Sequence, residues 1–284
     1  MKELSIENVA VGVFTSALNL RERALSVQET WLRDFPNALL IGGWKSDPEL
    51  RMASLGPEVG EDYASAHKKQ FLGLLELRRR FPGASWYFLT GCDAYVYADN
   101  LRALLAGFDP ERELLIGGHC GQAEIRGERL IFPAGGPGFA LSRALVEALA
   151  TAIPAFIDAW PSEFPDLAGA CDVAMAWLAK RERSVKVTFA DGFYSCPPYR
   201  YPGNPYLDGN GIVVDRPVAD HPVAYHALGI REMYLLRRGS MPRAPGPLAR
   251  AYDVGFRFVA RRFRTKSLVN RISSALANRS KTRG

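Results

Sequence analysis

Three short apolar runs, each leading toward a segment of helical spacing, constrain the fold of this chain more than any other feature. Residues 9–15 (VAVGVFT) are apolar without alternation and rich in β-branched side chains, the pattern of a strand buried on both faces, and residues 19–34 follow with helical periodicity. Residues 38–41 form a second such run, ending at Gly42-Gly43. After a polar loop, residues 63–81 read as a long helix with Phe71, Leu74, Leu75 and Leu77 on or near one face, stopped by Pro82-Gly83. The third run, residues 86–90 (WYFLT), passes through Gly91-Cys92-Asp93 into a helix expected to start at an Asp99 N-cap and reach Leu105. This alternation predicts an α/β fold with a mostly parallel central sheet flanked by helices, whose ligands gather outside the carboxyl ends of the strands. Asp93 sits at such an end.

The second half is less regular. Strands are expected at 114–116, 129–132 and 185–189, and helices at 142–151 and 172–181. Residues 197–222, crowded with Pro, Gly, Asn and Tyr, read as an irregular loop suited to closing over a site. With 284 residues, 48% of them hydrophobic, the chain can bury a sizeable core. No repeat or low-complexity segment interrupts it.

Four cysteines at 92, 120, 171 and 196 form no C-x-x-C pair, which argues against a zinc or redox dithiol and for reduced, buried thiols. No window approaches the roughly 18 to 20 apolar residues of a membrane span, and the start lacks signal-peptide features, so a cytoplasmic location is expected. The net charge of +6 is unevenly spread. Residues 231–284 hold 14 Lys and Arg against Glu232 and Asp253, a net +12, leaving −6 for residues 1–230. An anionic surface is therefore expected as the partner of the tail alone.

Taken singly, the polar residues at key places have ordinary readings. Asp93 reads as a turn aspartate, Asp172 as the cap of the following helix, His226 as an imidazole satisfied in a strand, and Gly135-Gly136-Pro137-Gly138 as a tight loop before a Ser142 N-cap. Their order along the chain adds information. The segment FPGASWYFLTGCDAYVYADNL resembles the metal-binding strand and turn of the fringe-like β-1,3-glycosyltransferases, which include the fringe enzymes and core 1 galactosyltransferases. VGVFTS and the R-x-R-x-x-x-V-x-x-T-W stretch from Arg21 to Trp31 resemble that family's first strand and helix. The helix with Lys68 and Lys69 resembles the one before its metal strand. GGPGFALS at 135–142, Cys171-Asp172-Val173 and Tyr225-His226 resemble its glycine-rich segment, acidic motif and late histidine. The likeness spans residues 9–228.

The resemblance implies a GT-A-like, Rossmann-like domain over residues 1–240, with a nucleotide-binding half (1–105) and an acceptor half (106–240). It also implies an inverting transfer from a UDP-sugar to a hydroxyl of a glycan or lipid-linked saccharide. Asp93 and His226 would hold Mn2+ or Mg2+ against the donor diphosphate, and Asp172 would be the general base. Thr15, Ser16, Arg21, Arg23, Asp47 and Lys69 are the candidates for the nucleotide, and Gly135 and Gly136 for close backbone approach to a sugar. One departure stands out: the family's acidic triplet is reduced to Gly91-Cys92-Asp93, which weakens attraction for a hard cation. Three readings follow from it: a metal site resting on Asp93, His226 and diphosphate; a metal-independent transferase relying on basic side chains; or an inactive nucleotide-sugar-binding protein of the same fold.

Residues 241–284 form the expected tail. Leu248, Tyr252, Phe256, Val259 and Phe263 recur at helical spacing, with Arg250, Arg257, Arg261 and Arg264 on another face, a basic amphipathic helical extension. Residues 248–283 thus suit peripheral docking on the inner face of a membrane, or packing of the aromatic face onto the domain. A membrane- or nucleic-acid-binding module acting through this tail is the rival function. No nucleic-acid motif accompanies the charge, and no nucleic-acid partner is expected.

Overall fold

The computed structural model describes residues 4–62 and 65–244. The helical extension expected from residue 248 onward, and the first two residues of the helix expected at 63–81, lie outside them.

The first half runs β1 (Val9–Phe14), α1 (Leu25–Glu29), β2 (Ala38–Gly42), β3 (Met52–Ser54), α2 (Ala66–Arg80), β4 (Trp86–Gly91), β5 (Tyr95–Val96) and α3 (Ala98–Leu105). It continues through β6 (Leu115–Gly117), β7 (Gly121–Ile125), β8 (Glu128–Phe132), β9 (Phe139–Ser142), α4 (Arg143–Leu149), α5 (Ile153–Glu163), α6 (Cys171–Arg183) and β10 (Val187–Phe189). The last part holds β11 (Phe193–Tyr194), β12 (Tyr206–Leu207), β13 (Val213–Val214), β14 (Ala224–Tyr225) and α7 (Ile230–Arg237).

The central sheet has the order β10-β6-β9-β4-β1-β2-β3. The pairs β1·β2, β1·β4, β2·β3 and β6·β10 are parallel, and β9 alone runs the other way. Because β9 is reversed, its first residue, Phe139, lies level with Leu89 and Gly117, so the glycine segment before it emerges at the same edge as the ends of β4 and β6. A small second sheet, β11-β14-β5, stands beside that edge and carries the approach to His226.

The continuous apolar runs form strands because both faces of the sheet are covered. Val9, Val11 and Val13 join Trp31, Phe35, Trp86 and Phe88 in one core layer, whereas Ala10 joins Leu39, Ile41, Phe71, Leu74, Leu77 and Leu89 in the other. Gly12 marks the closest approach of α2: a Cβ there would lie 2.8 Å from both Ile41 and Leu77, and one on Gly73 of α2 would lie 2.7 Å from Ile41.

Several boundaries differ from expectation for physical reasons. Residues 19–34 are not one helix but a 3-10 turn, a π-helical turn (Leu20–Ala24), α1 and another 3-10 turn. Ser26 Oγ donates to the Glu22 carbonyl and Thr30 Oγ1 to that of Ser26, side-chain bonds that compete with regular helix geometry. The helix after β4 has Tyr97, not Asp99, at its N-cap, and Asp99 sits in its first turn. The segment expected as a tight loop before Ser142 contains β9, whose four buried residues are too few to show a period. Ser142 does cap α4, accepting from the Leu145 amide. α5 was not anticipated because it holds Pro154 and Pro161; the first sits in the opening turn, where its missing amide has no helical partner to lose, and the second deprives the Ile157 carbonyl of its helical donor, a place where His67 Nε2 lies 3.2 Å away. Residues 197–222 contain the short ribbon β12·β13, and Tyr201 and Tyr206 are buried in the core.

Candidate active site

The Asp93 turn is fixed from three directions. The Cys92 amide donates to the Phe14 carbonyl, the Leu228 amide to the Asp93 carbonyl, and Trp31 Nε1 to the Ala94 carbonyl at 2.8 Å. The last of these explains what Trp31 does at the end of its motif: it is buried under the turn that presents Asp93. Cys92 turns its thiol into the core, and burial, with the Asp93 charge beside it, pushes that thiol up to about 11. It is a neutral packing residue at ordinary pH. A Cβ on Gly91 would stand 3.0 Å from Asp93 Oδ1, so the reduced triplet leaves room around a single carboxylate.

His226 Nε2 lies 3.0 Å from Asp93 Oδ1, while Arg23 Nη1 donates to Asp93 Oδ2 at 3.3 Å. Burial raises the Asp93 carboxyl, but the hydrogen bond and charge of His226, and then the charge of Arg23, outweigh it and hold the group below the usual carboxylate range. The other ring nitrogen of His226, Nδ1, lies 3.3 Å from the Ser195 carbonyl, which can only accept. Nδ1 therefore carries a hydrogen; Nε2 donates to Asp93 in the imidazolium, and in the neutral ring its lone pair would turn to a cation.

The glycine segment links this pair to Asp172. A Cβ on Gly136 would fall 2.3–2.5 Å from three atoms of the His226 ring, so the imidazole lies directly on that backbone. Thr90 Oγ1 donates to the Gly136 carbonyl at 2.9 Å, tying the segment to β4. The next glycine serves the other acid: the Gly135 amide donates to Asp172 Oδ2 at 2.9 Å. Asp172 Oδ1 accepts from the Val173 amide, also at 2.9 Å, within the first turn of α6, whose N-cap is Ala170. Asp93, His226, Gly136, Gly135 and Asp172 thus form one continuous line along the sheet edge, drawn from segments up to 133 residues apart.

The nucleotide candidates divide. Arg21 and Arg23 project from the π-helical turn after β1; Arg21 Nε lies 2.8 Å from Asp47 and its Nη1 2.6 Å from Glu49. Ser16 Oγ accepts from Asn19 Nδ2. Two expectations need correction. The Thr15 hydroxyl is buried beside the Cys92 thiol, its side chain turned into the domain. Lys69 is only 3% exposed, and its ammonium donates to Glu61 Oε2 at 3.2 Å, so it supports a loop instead of meeting a ligand. Gly135 and Gly136, expected against a sugar, have the Asp172 and His226 side chains packed on them.

Sequence reasoning missed His119, one of four histidines in the chain. It stacks on Tyr206 with centroids 4.7 Å apart, and its Nδ1 lies 3.1 Å from the Tyr201 hydroxyl. Burial, and then the charge of His226, lower it to about 4, so it is neutral at ordinary pH. A cavity of about 390 Å3 opens here, lined by His119, Phe132, Ala134, Tyr206 and Val213, immediately before Gly135 in the chain. A larger cavity, about 800 Å3, lies near Asn8, Ser85 and Trp86, where β1 and β4 begin, at the opposite edge.

Among the described residues, no group of three or more His, Cys, Asp and Glu is arranged to hold a metal. The donor set Asp93–His226 still fits a divalent ion that takes its other ligands from phosphate and water, as Mg2+ commonly does.

Residues 4–196 match the family model described as Fringe-like, and the chain belongs to the Fringe-like family. Glycosyl transfer is the chemistry that membership supports. Among solved structures, a glycosyltransferase involved in the glycosylation of the major capsid of PBCV-1 is similar over 81% of this chain and 99% of its own, with 13% identity and a TM-score of 0.45.

Proposed function

We propose that this chain is an inverting, metal-assisted glycosyltransferase that moves a sugar from a UDP-sugar to a hydroxyl of a glycan or lipid-linked saccharide. The observation that carries the reading is the single line of Asp93, His226, Gly136, Gly135 and Asp172 at one sheet edge. Asp93 and His226 Nε2 would hold Mn2+ or Mg2+, which when bound neutralises the leaving diphosphate as a Lewis acid. Arg23, already against Asp93, adds positive charge at the same place. Asp172 takes the proton of the acceptor hydroxyl as that oxygen attacks the anomeric carbon from the face opposite the diphosphate. Its two backbone amides orient the carboxylate and leave further lone pairs for the acceptor. The cavity beside His119 and Tyr206 suits the flat face of an acceptor saccharide, with the neutral imidazole able to share a hydrogen bond with a hydroxyl.

The Arg23–Asp93 contact favours one variant of this reading, in which side chains alone neutralise the diphosphate. Docking on an anionic membrane through residues 248–283, and with it a cytoplasmic, peripheral location, rests on the charge of that segment. The test is release of UDP and transfer of sugar from a panel of UDP-sugars, with and without Mn2+, by the wild type and by Asp172→Asn. Turnover that the substitution abolishes supports the reading. UDP binding without turnover of any donor would instead leave a nucleotide-sugar-binding protein.

A further inference from the structure

Two large apolar side chains are exposed at the same sheet edge, on the side of β4 away from Asp172. Trp44, two residues past the end of β2, is 53% exposed, and Leu18, after β1, is 81% exposed. Solvating a tryptophan at a strand end is costly, and its backbone is held firmly in place. Glu61 Oε1 accepts from the Trp44 amide at 3.1 Å and the Lys45 amide at 3.3 Å, and Glu61 Oε2 accepts from the Ala17 amide at 3.0 Å and from Lys69. One carboxylate thus ties together the loops after β1 and β2, which carry Leu18 and Trp44. Burial raises Glu61, but the bonds from Ala17, Lys45 and Lys69 outweigh it and keep it ionised.

The sheet supplies a ruler. β4, β1 and β2 are consecutive, and Phe14 is level with both Gly91 and Ile41, so the three strands end together. At about 4.8 Å per strand, the end of β2 lies roughly 10 Å from the end of β4. A ribose and a diphosphate can bridge that interval. Arg23 stands at its Asp93 end and Arg21 at its Asp47 end, and Lys45 Nζ sits 5.0 Å from the Trp44 ring. Acceptor chemistry lies on the other side, where β9 pairs with β4 and β6 follows beyond it. Resting on the donor reading above, we infer that Trp44 is the stacking platform for the nucleobase of the nucleoside diphosphate donor. An aromatic face accepts any base, so the platform contributes affinity and not uridine selectivity.

Of the five tryptophans, Trp31, Trp86, Trp160 and Trp177 are buried, so Trp44 is the one a ligand can stack on from solvent, and the part of any quench lost in Trp44→Phe reports on it. The test titrates UDP, ADP and inorganic pyrophosphate into wild type, Trp44→Phe and Trp44→Ala, reading fluorescence and calorimetry together. UDP is expected to quench wild-type emission saturably, and Trp44→Phe to lose most of the quench while binding within a few-fold of wild type. Trp44→Ala is expected to weaken UDP and ADP roughly 5- to 100-fold and leave pyrophosphate unchanged. UDP that binds wild type and Trp44→Ala equally overturns the platform and leaves the donor reading standing. Wild type that binds no nucleotide overturns both.

Discussion

Asp93 and Asp172 occupy the same sheet edge but are held in opposite ways. Asp93 faces two basic side chains, His226 on one oxygen and Arg23 on the other, and its carboxyl is drawn below the ordinary range. Asp172 faces two backbone amides and no side-chain cation in its bonds. The first arrangement is electrostatic and exchangeable, since a metal ion can replace these groups on the carboxylate and a diphosphate can pair with the positive charge they carry. The second fixes direction without supplying a counter-ion that would quench the carboxylate as a base. Two acids with different partners thus suit two different tasks, one at the leaving group and one at the nucleophile.

Substitutions can separate the two. Asp172→Asn should produce the largest effect, a fall in kcat of about 10²- to 10⁴-fold with UDP affinity unchanged, read by transfer kinetics and calorimetry. A parallel loss of UDP binding would merge the two acids into one site. The adjacent glycines give a finer division. Gly136→Ala would force the His226 ring away from Asp93, and the expected loss of Mn2+-dependent UDP affinity is about 10- to 100-fold. Gly135→Ala meets Asp172 Cβ at a milder 3.1 Å and keeps the amide hydrogen bond. It should lower kcat less than about tenfold and leave UDP affinity alone.

The smallest effect concerns stability and pH. His119 titrates near 6.5 when unfolded and near 4 when folded, because burial, then the His226 charge, disfavours the imidazolium. Between these values the unfolded chain binds a proton that the folded chain does not. The stability it contributes is therefore fully present above pH 6.5 and lost as pH falls toward 4. The Tm of His119→Asn should fall less steeply than that of wild type across this window, and equal slopes would remove His119 from the account.

The sheet strands β1, β2 and β4 were legible in sequence because burial on both faces writes a continuous apolar run. Asp93 was legible as a strand-end carboxylate, whereas its pairing with His226 rested on family resemblance, since nothing local relates residues 133 apart. The supports were hidden. Glu61 follows a polar loop, and its cradle of Ala17, Trp44, Lys45 and Lys69 exists only once β1, β2 and α2 are assembled. Lys69 looked like a ligand for the same reason: a basic residue on a helix near a phosphate site does not reveal that an internal carboxylate has claimed it. His119 carried one cue, the scarcity of histidine, but its neighbours Tyr201 and Tyr206 come from a segment without readable periodicity. The π-helical turn that places Arg21 and Arg23 is likewise a departure from the helical spacing that suggested it.

The central claim is that Asp93, alone among the residues of its turn, holds the donor's cation together with His226. It is tested most directly by calorimetric titration of UDP into wild type and Asp93→Ala, each with Mn2+ and with chelator. The account predicts that Mn2+ strengthens UDP binding to wild type and that Asp93→Ala removes that gain. UDP binding that is indifferent to Mn2+ and untouched by the substitution would contradict it.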